Sequence, residues 1–269
     1  MLMDKRFHMP ESKRPKVLIT GASSGIGKSL AKVFAGNQYD LVLVARNKEK
    51  LQQLSSELSN TFTDIQIQIL DKDLTKIEAA KEIYDEIPEI DILVNNAGMA
   101  VHGEFSKTDF DKELQLIQLN IIALVRLTKL YLPHMIARND GKILMVSSIV
   151  SVMSVPREVV YAASKSFVLS FTESLNEELK GSRVAVAALL PGATETPIFE
   201  KANADNARFV TQGKLDDPDE VAKIAFEGLI KGKKIIIPGI INKAIVKANQ
   251  WLPSEFLSLI KQKMMEDVK

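Results

Sequence analysis

The clearest chemistry in the sequence comes from a tyrosine and a lysine four residues apart, Tyr161 and Lys165. On a helix such positions share one face, so both side chains can reach one site. Tyrosine ordinarily has a pKa near 10, and a neighbouring ammonium group favours its ionised form. Proton transfer by tyrosine at neutral pH requires its pKa to fall by roughly three units, which corresponds to about 4 kcal/mol. Other charges and hydrogen bonds must therefore contribute besides the lysine. Ser148, thirteen residues before Tyr161, adds a hydroxyl donor, and the three residues together indicate proton transfer.

A glycine-rich loop at residues 20–27, with the sequence Thr-Gly-Ala-Ser-Ser-Gly-Ile-Gly, joins a predicted strand to a predicted helix. Free backbone amides and the helix dipole can bind a phosphate there, because glycine lets the anion approach closely. The run Gly27-Lys28-Ser29 resembles the end of a P-loop, but Ala22 stands where that motif needs glycine, which excludes phosphoryl transfer. The spacing GxGxxG is absent as well. The pattern that remains, TGxxxGxG, is typical of an anion site and is also compatible with a plain turn.

The composition narrows the class of protein. The chain has 269 residues, of which 46% are apolar and 26% charged, as in a globular domain with a large core. A net charge of +1 argues against nucleic-acid binding. Cysteine is absent and the three histidines are scattered, so neither a disulfide nor a metal site is expected. The first 15 residues lack the apolar core of a secretory signal, and no run reaches the roughly 18 apolar residues of a membrane span. We therefore expect a soluble cytoplasmic enzyme.

Short apolar runs alternate with stretches of helical periodicity along the chain. Most runs are nearly continuous Val, Ile and Leu, as in strands that are buried on both faces. Seven strands are predicted at 16–20, 40–45, 65–70, 91–95, 142–147, 184–190 and 234–237. Six helices are predicted at 26–35, 48–59, 76–86, 110–138, 160–179 and 219–230. This alternation predicts an α/β fold with a doubly wound parallel sheet of about seven strands and helices on both faces.

Further motifs accompany the glycine loop and the Tyr-Lys pair in a fixed order, namely Asn95-Asn96-Ala97-Gly98, Asn120, Ser148 and Pro191-Gly192. In this order the sequence resembles the single-domain branch of the short-chain dehydrogenase/reductase family, over residues 16–240. The resemblance implies a Rossmann-type fold with one dinucleotide-binding catalytic domain at residues 15–269. Within that scheme residues 1–14 form a flexible tail, 194–214 a substrate lid and 239–269 a C-terminal extension.

The resemblance assigns catalytic roles to four residues. Tyr161 is expected to protonate the carbonyl oxygen in reduction and to act as the base in oxidation. Lys165 is expected to lower the tyrosine pKa and to hold the nicotinamide ribose, and Ser148 to hydrogen-bond the substrate oxygen. Asn120 is expected to hold a water that links Lys165 to solvent, to satisfy the backbone at a helix kink, or to do both. No metal is implied.

The implied cofactor is NADP(H), preferred over NAD(H). NAD enzymes place an acid at the end of the second strand, where Ala45 stands here, and Arg46 next to it can bind a 2′-phosphate. Ser23 and Ser24 offer hydroxyl donors. By resemblance the cofactor also contacts Tyr161, Lys165 and residues of the glycine loop and the strand ends, which are Gly21, Gly25, Ile26, Gly27, Asp73, Leu74, Asn95, Ala97, Gly98, Pro191, Gly192, Thr194 and Thr196.

The expected substrate is a small hydrophobic ketone or aldehyde, or the corresponding alcohol, because the candidate pocket wall is mostly apolar. That wall comprises segment 194–214 together with Val101, His102, Val150, Met153, Val155 and Pro156, some of which could instead belong to the core. A catalytically silent NADP-binding regulatory or scaffold protein is the alternative. A nucleotide-sugar epimerase or dehydratase shares the Tyr-Lys pair but resembles longer chains with a different glycine spacing.

Two expectations concern assembly. Members of the family commonly form homodimers or homotetramers through the helices that correspond to residues 110–138 and 160–179, so the resemblance implies a homo-oligomer. In residues 240–269 lysines are interspersed among apolar residues. This pattern is compatible with weak peripheral membrane contact and with packing on the domain itself or on a subunit.

Overall fold

The computed structural model describes residues 14–204 and 206–251 and contains a parallel sheet of seven strands. The strands are β1 Lys16–Thr20, β2 Asp40–Ala45, β3 Ile67–Asp71, β4 Ile92–Asn95, β5 Gly141–Val146, β6 Val184–Leu189 and β7 Ile235–Ile236. Their order in space is β3-β2-β1-β4-β5-β6-β7, so the path of the chain across the sheet reverses between β1 and β4. The predicted fold class and the predicted number of strands are confirmed.

Helices connect the strands. They are α1 Gly25–Gly36, α2 Lys48–Thr61, α3 Ala79–Glu86, α4 Phe110–Ile117, α5 Leu124–Ala137, α6 Val159–Glu178, α7 Ile198–Lys201, α8 Arg208–Thr211, α9 Pro218–Ile230 and α10 Ile240–Trp251. The short helices α7 and α8 lie inside the predicted lid segment 194–214. Of the predicted C-terminal extension, residues 252–269 lie outside the described residues, as do residues 1–13 of the predicted tail.

Both faces of the sheet are covered, because alternate residues of each strand point to opposite sides. Val17 and Ile19 of β1 pack with Phe34 of α1 in a core that also includes α2 and α9. Leu18, between them, packs with Leu127 of α5 in a second core that includes α3 and α6. All five side chains are fully buried. Burial on both faces explains why the strands read as continuous Val, Ile and Leu.

The helix predicted over residues 110–138 runs without a gap from Phe110 to Ala137. Between α4 and α5, the six residues Gln118–Ala123 form a π-helical turn within it. Such a turn widens the helix by one residue, and it is frequent at functional sites. Asn120 lies inside it and is 1% exposed. The sequence did not predict this turn, because the residues on either side of it keep one apolar face and periodicity does not register the extra residue.

Two predicted boundaries also shift. The third strand begins at residue 67 rather than 65, and α3 begins at residue 79 rather than 76. Before α3, the Asp73 carboxylate accepts hydrogen bonds from the backbone N–H of Thr75 at 3.1 Å and from its hydroxyl at 2.8 Å. These bonds stabilise a local turn that competes with the helix, which is a common property of aspartate side chains.

One stretch of the described residues, Phe110–Ala137, is long and apolar enough by length and composition to cross a membrane. The sequence-based prediction did not identify this stretch, because it required an unbroken run of apolar residues. In the fold one face of this helix, including Leu127 and Tyr131, is buried in the second core, whereas Phe110, Leu114 and Ile136 are exposed. A core helix of a globular protein meets the same length and composition criterion.

The reversal of strand order leaves a crevice between the carboxyl ends of β1 and β4. Thr20 Oγ1 accepts hydrogen bonds from the backbone N–H groups of Asn96 and Ala97, each at 3.0 Å. The Asn96 amide donates to the Thr20 carbonyl oxygen at 2.8 Å. A Cβ at Gly27 would lie 2.3 Å from the Gly21 carbonyl oxygen, so only glycine fits this crossing of the loop. The glycine loop and residues 95–98 therefore form the two sides of one site.

Candidate active site

Ser148, Tyr161 and Lys165 meet at the carboxyl end of the sheet. Ser148 follows β5, and the other two lie one turn apart on α6. The Ser148 hydroxyl is hydrogen-bonded to the Tyr161 phenol. Lys165 Nζ lies 5.7 Å from the centre of the Tyr161 ring and donates to the Val146 carbonyl oxygen at 2.9 Å. The fold thus brings together the three residues whose types and spacing indicate proton transfer.

Serine hydroxyls hold α6 against β5 and the turn that follows it. Ser147 Oγ donates to the Lys165 carbonyl oxygen at 2.8 Å. Ser151 Oγ donates to the Ser148 carbonyl oxygen at 2.6 Å, and Ser166 Oγ donates to the Ser151 carbonyl oxygen at 2.7 Å. The sequence predictions did not include Ser147, Ser151 or Ser166. The only signal for them is the density of serines around the catalytic motifs.

The Asn120 side chain is fixed by both of its polar atoms. Its Oδ1 accepts the Met99 N–H at 2.9 Å, and its Nδ2 donates to the Met99 carbonyl oxygen and to Ser164 Oγ, each at 3.0 Å. Ser164 Oγ in turn donates to the Tyr161 carbonyl oxygen at 2.7 Å. Gly98 fills the space between Asn120 and the Lys165 ammonium group. Asn120 therefore satisfies the backbone of Met99, which lies outside its own helix, so the predicted role at a helix kink stays a prediction. Its role in a water relay stays a prediction.

Burial dominates the protonation of the site. The pKa of Tyr161 is raised, first by its removal from water and second by the charge of Glu158, while the hydrogen bond with Ser148 lowers it. Burial lowers the pKa of Lys165 to about 8. The protein residues alone therefore raise the pKa of Tyr161, whereas the sequence predicted that it is lowered. The cost of burying a phenolate outweighs the attraction of the nearby lysine charge. A lowering by the bound cofactor stays a prediction.

The buried ammonium group of Lys165 has a consequence for stability. Its pKa is about 8 in the folded protein, against about 10.5 in an unfolded chain. Between these values the unfolded chain binds more protons, so the free energy of unfolding rises with pH. We expect wild type to gain about 2 kcal/mol relative to Lys165→Met between about pH 7.5 and 9.5, as measured by urea unfolding of both proteins.

The matched control is Lys142→Met, which removes an ammonium group from the amino end of β5, away from the site. Lys142 shows no comparable burial, so its removal is expected to leave the pH dependence of unfolding parallel to wild type. A stability difference between wild type and Lys165→Met that stays constant with pH contradicts the prediction.

The start of α1 fits a dinucleotide phosphate. Ser24 precedes the helix, but its side chain does not cap it, and the first turn contains no acidic residue. The helix amides and the two hydroxyls of Ser23 and Ser24 therefore remain as donors for an anion. Ile26 packs against the first core, which anchors the loop. This donor set is the one that the predicted cofactor requires.

A cavity of about 270 Å³ opens beside this loop, and its lining includes Ser23, Ser24, Lys28 and Lys50. Arg46 is exposed after the end of β2, next to the buried Ala45, and does not line the cavity. Within residues 14–204 and 206–251, Lys50 has no acidic partner. Lys28 is 3.3 Å from Glu57. The two lysines are candidate anion-binding residues that the sequence predictions missed, because they lie on the surface of helices and carry no motif.

Three predicted cofactor residues have side chains occupied within the protein. Asn95 is 4% exposed, and its amide donates to Thr128 Oγ1 of α5 at 3.0 Å, so it braces the sheet against that helix. The Asp73 carboxylate binds Thr75, and Leu74 is buried in the second core. Contact of these three residues with a cofactor stays a prediction.

The segment after β6 lies at the opposite side of the crevice. The Pro191 carbonyl oxygen accepts the Ile149 N–H at 3.0 Å, which links this segment to the turn after Ser148. Thr194 Oγ1 donates to the Gly192 carbonyl oxygen at 3.0 Å. A Cβ at Gly25 would lie 2.7 Å from Thr196 Cγ2, so Thr196 borders the glycine loop. The structure therefore brings Gly192, Thr194 and Thr196 to the site.

The predicted lid packs on the catalytic helix. Its alanines form a cluster with Ala100, and the cluster is contacted by Tyr161, Ile198 and Phe199. The Ala202 carbonyl oxygen accepts the His102 N–H at 3.3 Å. A second apolar cluster beside α6 contains Val150, Met153, Val155 and Ala162. Tyr161 thus packs against the first of these clusters, and the second lies along the same helix.

His102 is buried beside an acid. Its side chain is 3% exposed, and its Nδ1 lies 3.8 Å from the Glu158 carboxylate, which is 6% exposed. Its expected place in the wall of the substrate pocket stays a prediction. Burial beside an acid that precedes α6 by one residue is visible only in the fold. Among the described residues no group of three His, Cys, Asp or Glu side chains could hold a metal ion.

Known proteins resemble this chain in sequence and in structure. A profile of the short chain dehydrogenase family matches residues 15–207. Mouse dehydrogenase/reductase SDR family member 7B is 34% identical over 235 residues, which are 82% of this chain and 72% of the relative. A short-chain dehydrogenase from Sphingobium yanoikuyae in complex with NADPH has a TM-score of 0.80 and 35% identity, over 95% of this chain and 96% of that one. The bulky-bulky ketone specific alcohol dehydrogenase from Comamonas testosteroni has a TM-score of 0.75 and 30% identity, over 95% of both chains.

The family match spans the glycine loop and the cluster of Ser148, Tyr161 and Lys165, and the structural matches extend over nearly the whole chain. The seven-stranded parallel sheet agrees with these matches. The chain therefore belongs to the short-chain dehydrogenase family and is an oxidoreductase that acts on CH–OH or C=O groups of small substrates with a nicotinamide cofactor.

Proposed function

We propose that the protein is an NADP(H)-dependent oxidoreductase that interconverts a hydrophobic ketone or aldehyde and its alcohol. The observation that carries this proposal is the meeting of three groups at the carboxyl end of the sheet: Ser148 after β5, the Tyr161 phenol, and the Lys165 ammonium group 5.7 Å from the centre of its ring. A regulator or scaffold that only binds a dinucleotide has no need of a proton donor held in this way.

The proposed roles follow from the geometry. In reduction the substrate oxygen lies between the Ser148 hydroxyl and the Tyr161 phenol, which both donate hydrogen bonds where negative charge develops. Tyr161 passes its proton to that oxygen, and in oxidation it takes the proton back. Lys165 stabilises the phenolate that results. The cofactor, when bound, supplies hydride to the carbonyl carbon or removes it from the alcohol.

Two features support NADP(H) over NAD(H). The end of β2 has Ala45 where an acid would repel a 2′-phosphate, and the exposed Arg46 follows it. The cavity beside Ser23 and Ser24 contributes the ammonium group of Lys50 on the adjacent helix. The similar Sphingobium yanoikuyae enzyme was solved in complex with NADPH.

The apolar surroundings of Tyr161 support a hydrophobic substrate. Ile198 and Phe199 of the lid lie on one side of the phenol, and Val150 and Met153 lie beside the same helix. The similar Comamonas testosteroni enzyme is named for its specificity for bulky-bulky ketones. A charged sugar or polyol would lose its hydration in such surroundings without gaining ionic partners.

The experiment that tests the proposed function is a panel of carbonyls and alcohols with NADPH and NADP, followed by nicotinamide absorbance. We expect turnover of hydrophobic ketones or aldehydes, with kcat/KM at least about tenfold higher than for charged sugars, because hydrophobic burial alone discriminates at that level. Turnover of charged sugars or polyols only contradicts the proposed substrate class.

We also propose a homodimer or homotetramer. Phe110 and Leu114 of α4 and Phe167 of α6 are exposed large apolar side chains on the helices through which the family commonly associates. Exposed apolar surface of this kind is typical of an interface between proteins. Sedimentation velocity checks the proposal, and a monomer at micromolar concentration contradicts it.

Cytoplasmic localisation and weak membrane contact through residues 240–269 are likewise proposals. In the described part of that extension, Ile240 and Ile241 are exposed, together with Lys243 and Lys247 on the same helix. Apolar and basic side chains in this combination suit an anionic lipid surface. Sedimentation with anionic vesicles, with and without residues 240–269, checks the contact. Equal sedimentation of both chains contradicts it.

A further inference from the structure

The C-terminal helix α10 contacts the cofactor side of the fold through one buried side chain, Asn242. Its Nδ2 donates to the Asp216 carboxylate at 2.7 Å and to the Pro238 carbonyl oxygen at 2.9 Å. A Cβ at Gly192 would lie 2.5 Å from Asn242 Oδ1, so the amide fits only because residue 192 is glycine. The contact joins α10, Asp216 two residues before the start of α9, and the segment after β6.

The backbone of Asp216 links the two ends of the predicted lid. Its N–H donates to the Ala193 carbonyl oxygen at 2.8 Å, and its carbonyl oxygen accepts the Glu195 N–H at 3.0 Å. Thr194, between these two residues, pairs with Asp216 as an isolated parallel bridge and is 4% exposed. The backbone of Asp216 therefore holds both ends of segment 194–214 together. Asn242 in turn binds the side chain of Asp216.

We propose that Asn242 and Asp216 are positioning residues that hold residues 192–196 in the shape that receives the nicotinamide end of the cofactor. Thr196 borders the glycine loop at Gly25, so the segment held by this pair forms one edge of the dinucleotide crevice. The same helix also contacts the turn Ile149–Val152, which follows the catalytic serine. The C-terminal helix thus supports two sides of the site.

This inference rests on the proposed function, because residues 192–196 have the assigned role only if a dinucleotide lies along the glycine loop. It also predicts that different residues bind the two ends of the cofactor. The nicotinamide end depends on Asn242 and Asp216, whereas the adenosine end depends on the glycine loop and on the end of β2. A general structural role for the pair would weaken both ends together.

The test is a swap of the two side chains. Asn242→Asp places a second carboxylate at the 2.7 Å contact, where like charges repel. Asn242→Asp/Asp216→Asn again pairs one donor with one acceptor at this contact, whereas the hydrogen bond from position 242 to the Pro238 carbonyl oxygen is lost in both variants. A hydrogen bond to a charged group changes an equilibrium by roughly 10- to 100-fold. On that scale we expect the single variant to raise the dissociation constant of NADPH at least about tenfold and the double variant to recover part of this loss, by about threefold or more.

The readout is direct binding, with NADPH and NADH titrated by fluorescence in the absence of substrate. AMP and adenosine 2′,5′-bisphosphate, which lack the nicotinamide end, are expected to bind every variant within about twofold of wild type and so to show that the fold is intact. Lys243→Gln, at an exposed position of the same helix, is the matched control and is expected to change neither affinity.

Three results overturn the inference: unchanged NADPH and NADH affinity in Asn242→Asp, an equal loss for the adenosine fragments, or no recovery in the swapped variant. A wild-type protein that binds neither NADPH nor NADH contradicts the proposed function instead. The two failures are therefore distinguishable.

Discussion

Tyr161→Phe is expected to lower kcat/KM for carbonyl reduction by about a thousandfold or more, since general acid catalysis typically contributes factors of 10² to 10⁴. The substitution removes only the hydroxyl that is hydrogen-bonded to Ser148, and the ring keeps its place in the apolar cluster under the lid. Affinity for NADPH is expected to stay within about threefold of wild type, because the loss is confined to an interaction made in the transition state. Steady-state kinetics and fluorescence titration measure the two quantities.

Tyr84→Phe is the matched control. The Tyr84 hydroxyl is hydrogen-bonded to His134 between α3 and α5, away from the crevice, so kcat/KM is expected to be unchanged. If Tyr161→Phe kept more than about a tenth of wild-type activity, a factor too small for loss of the general acid, the phenol would not be the proton donor. A wild-type protein that binds NADPH but turns over no carbonyl or alcohol would favour the catalytically silent alternative.

The second large effect is expected from Ala45→Asp/Arg46→Ala. The aspartate suits a ribose 2′-hydroxyl and repels a 2′-phosphate, and the loss of arginine removes a charged donor for that phosphate. Each change is worth roughly 10- to 100-fold, so the ratio of kcat/KM for NADPH over NADH is expected to fall by about a thousandfold and to invert. The side chain at position 46 is exposed, so the fold is expected to tolerate its truncation, whereas an aspartate at the buried position 45 costs stability unless a ribose hydroxyl binds it.

Arg183→Ala provides the control, because Arg183 is an exposed cation at the amino end of β6, on the far side of the sheet. Its loss is expected to leave kcat/KM unchanged with both NADPH and NADH. Parallel measurements with NADPH and NADH on all three proteins are sufficient. Wild type that prefers NADH refutes the proposed cofactor.

Much of the fold was readable from short stretches of sequence. The strands were predicted to within two residues, because burial on both faces of a parallel sheet leaves continuous Val, Ile and Leu in each one. The residues that the fold brings together were also accessible, because Tyr161 and Lys165 are related by helical spacing and Ser148 follows a strand directly. Such features depend on residues that are near one another in the chain, so periodicity and motif spacing are enough to find them.

Other features depend on residues that are distant in the chain, and only the folded structure reveals them. In the π-helical turn, the Asn120 amide meets Met99 and Ser164 across the site. The pKa of Tyr161 is raised because packing removes the phenol from water, an effect that composition does not express. Asn242 lies 26 residues beyond Asp216 and carries no motif, yet the path of the last strand and helix brings the two side chains into contact. Spacing predicts which residues carry the chemistry, and the packing of remote segments determines their contacts and their charge.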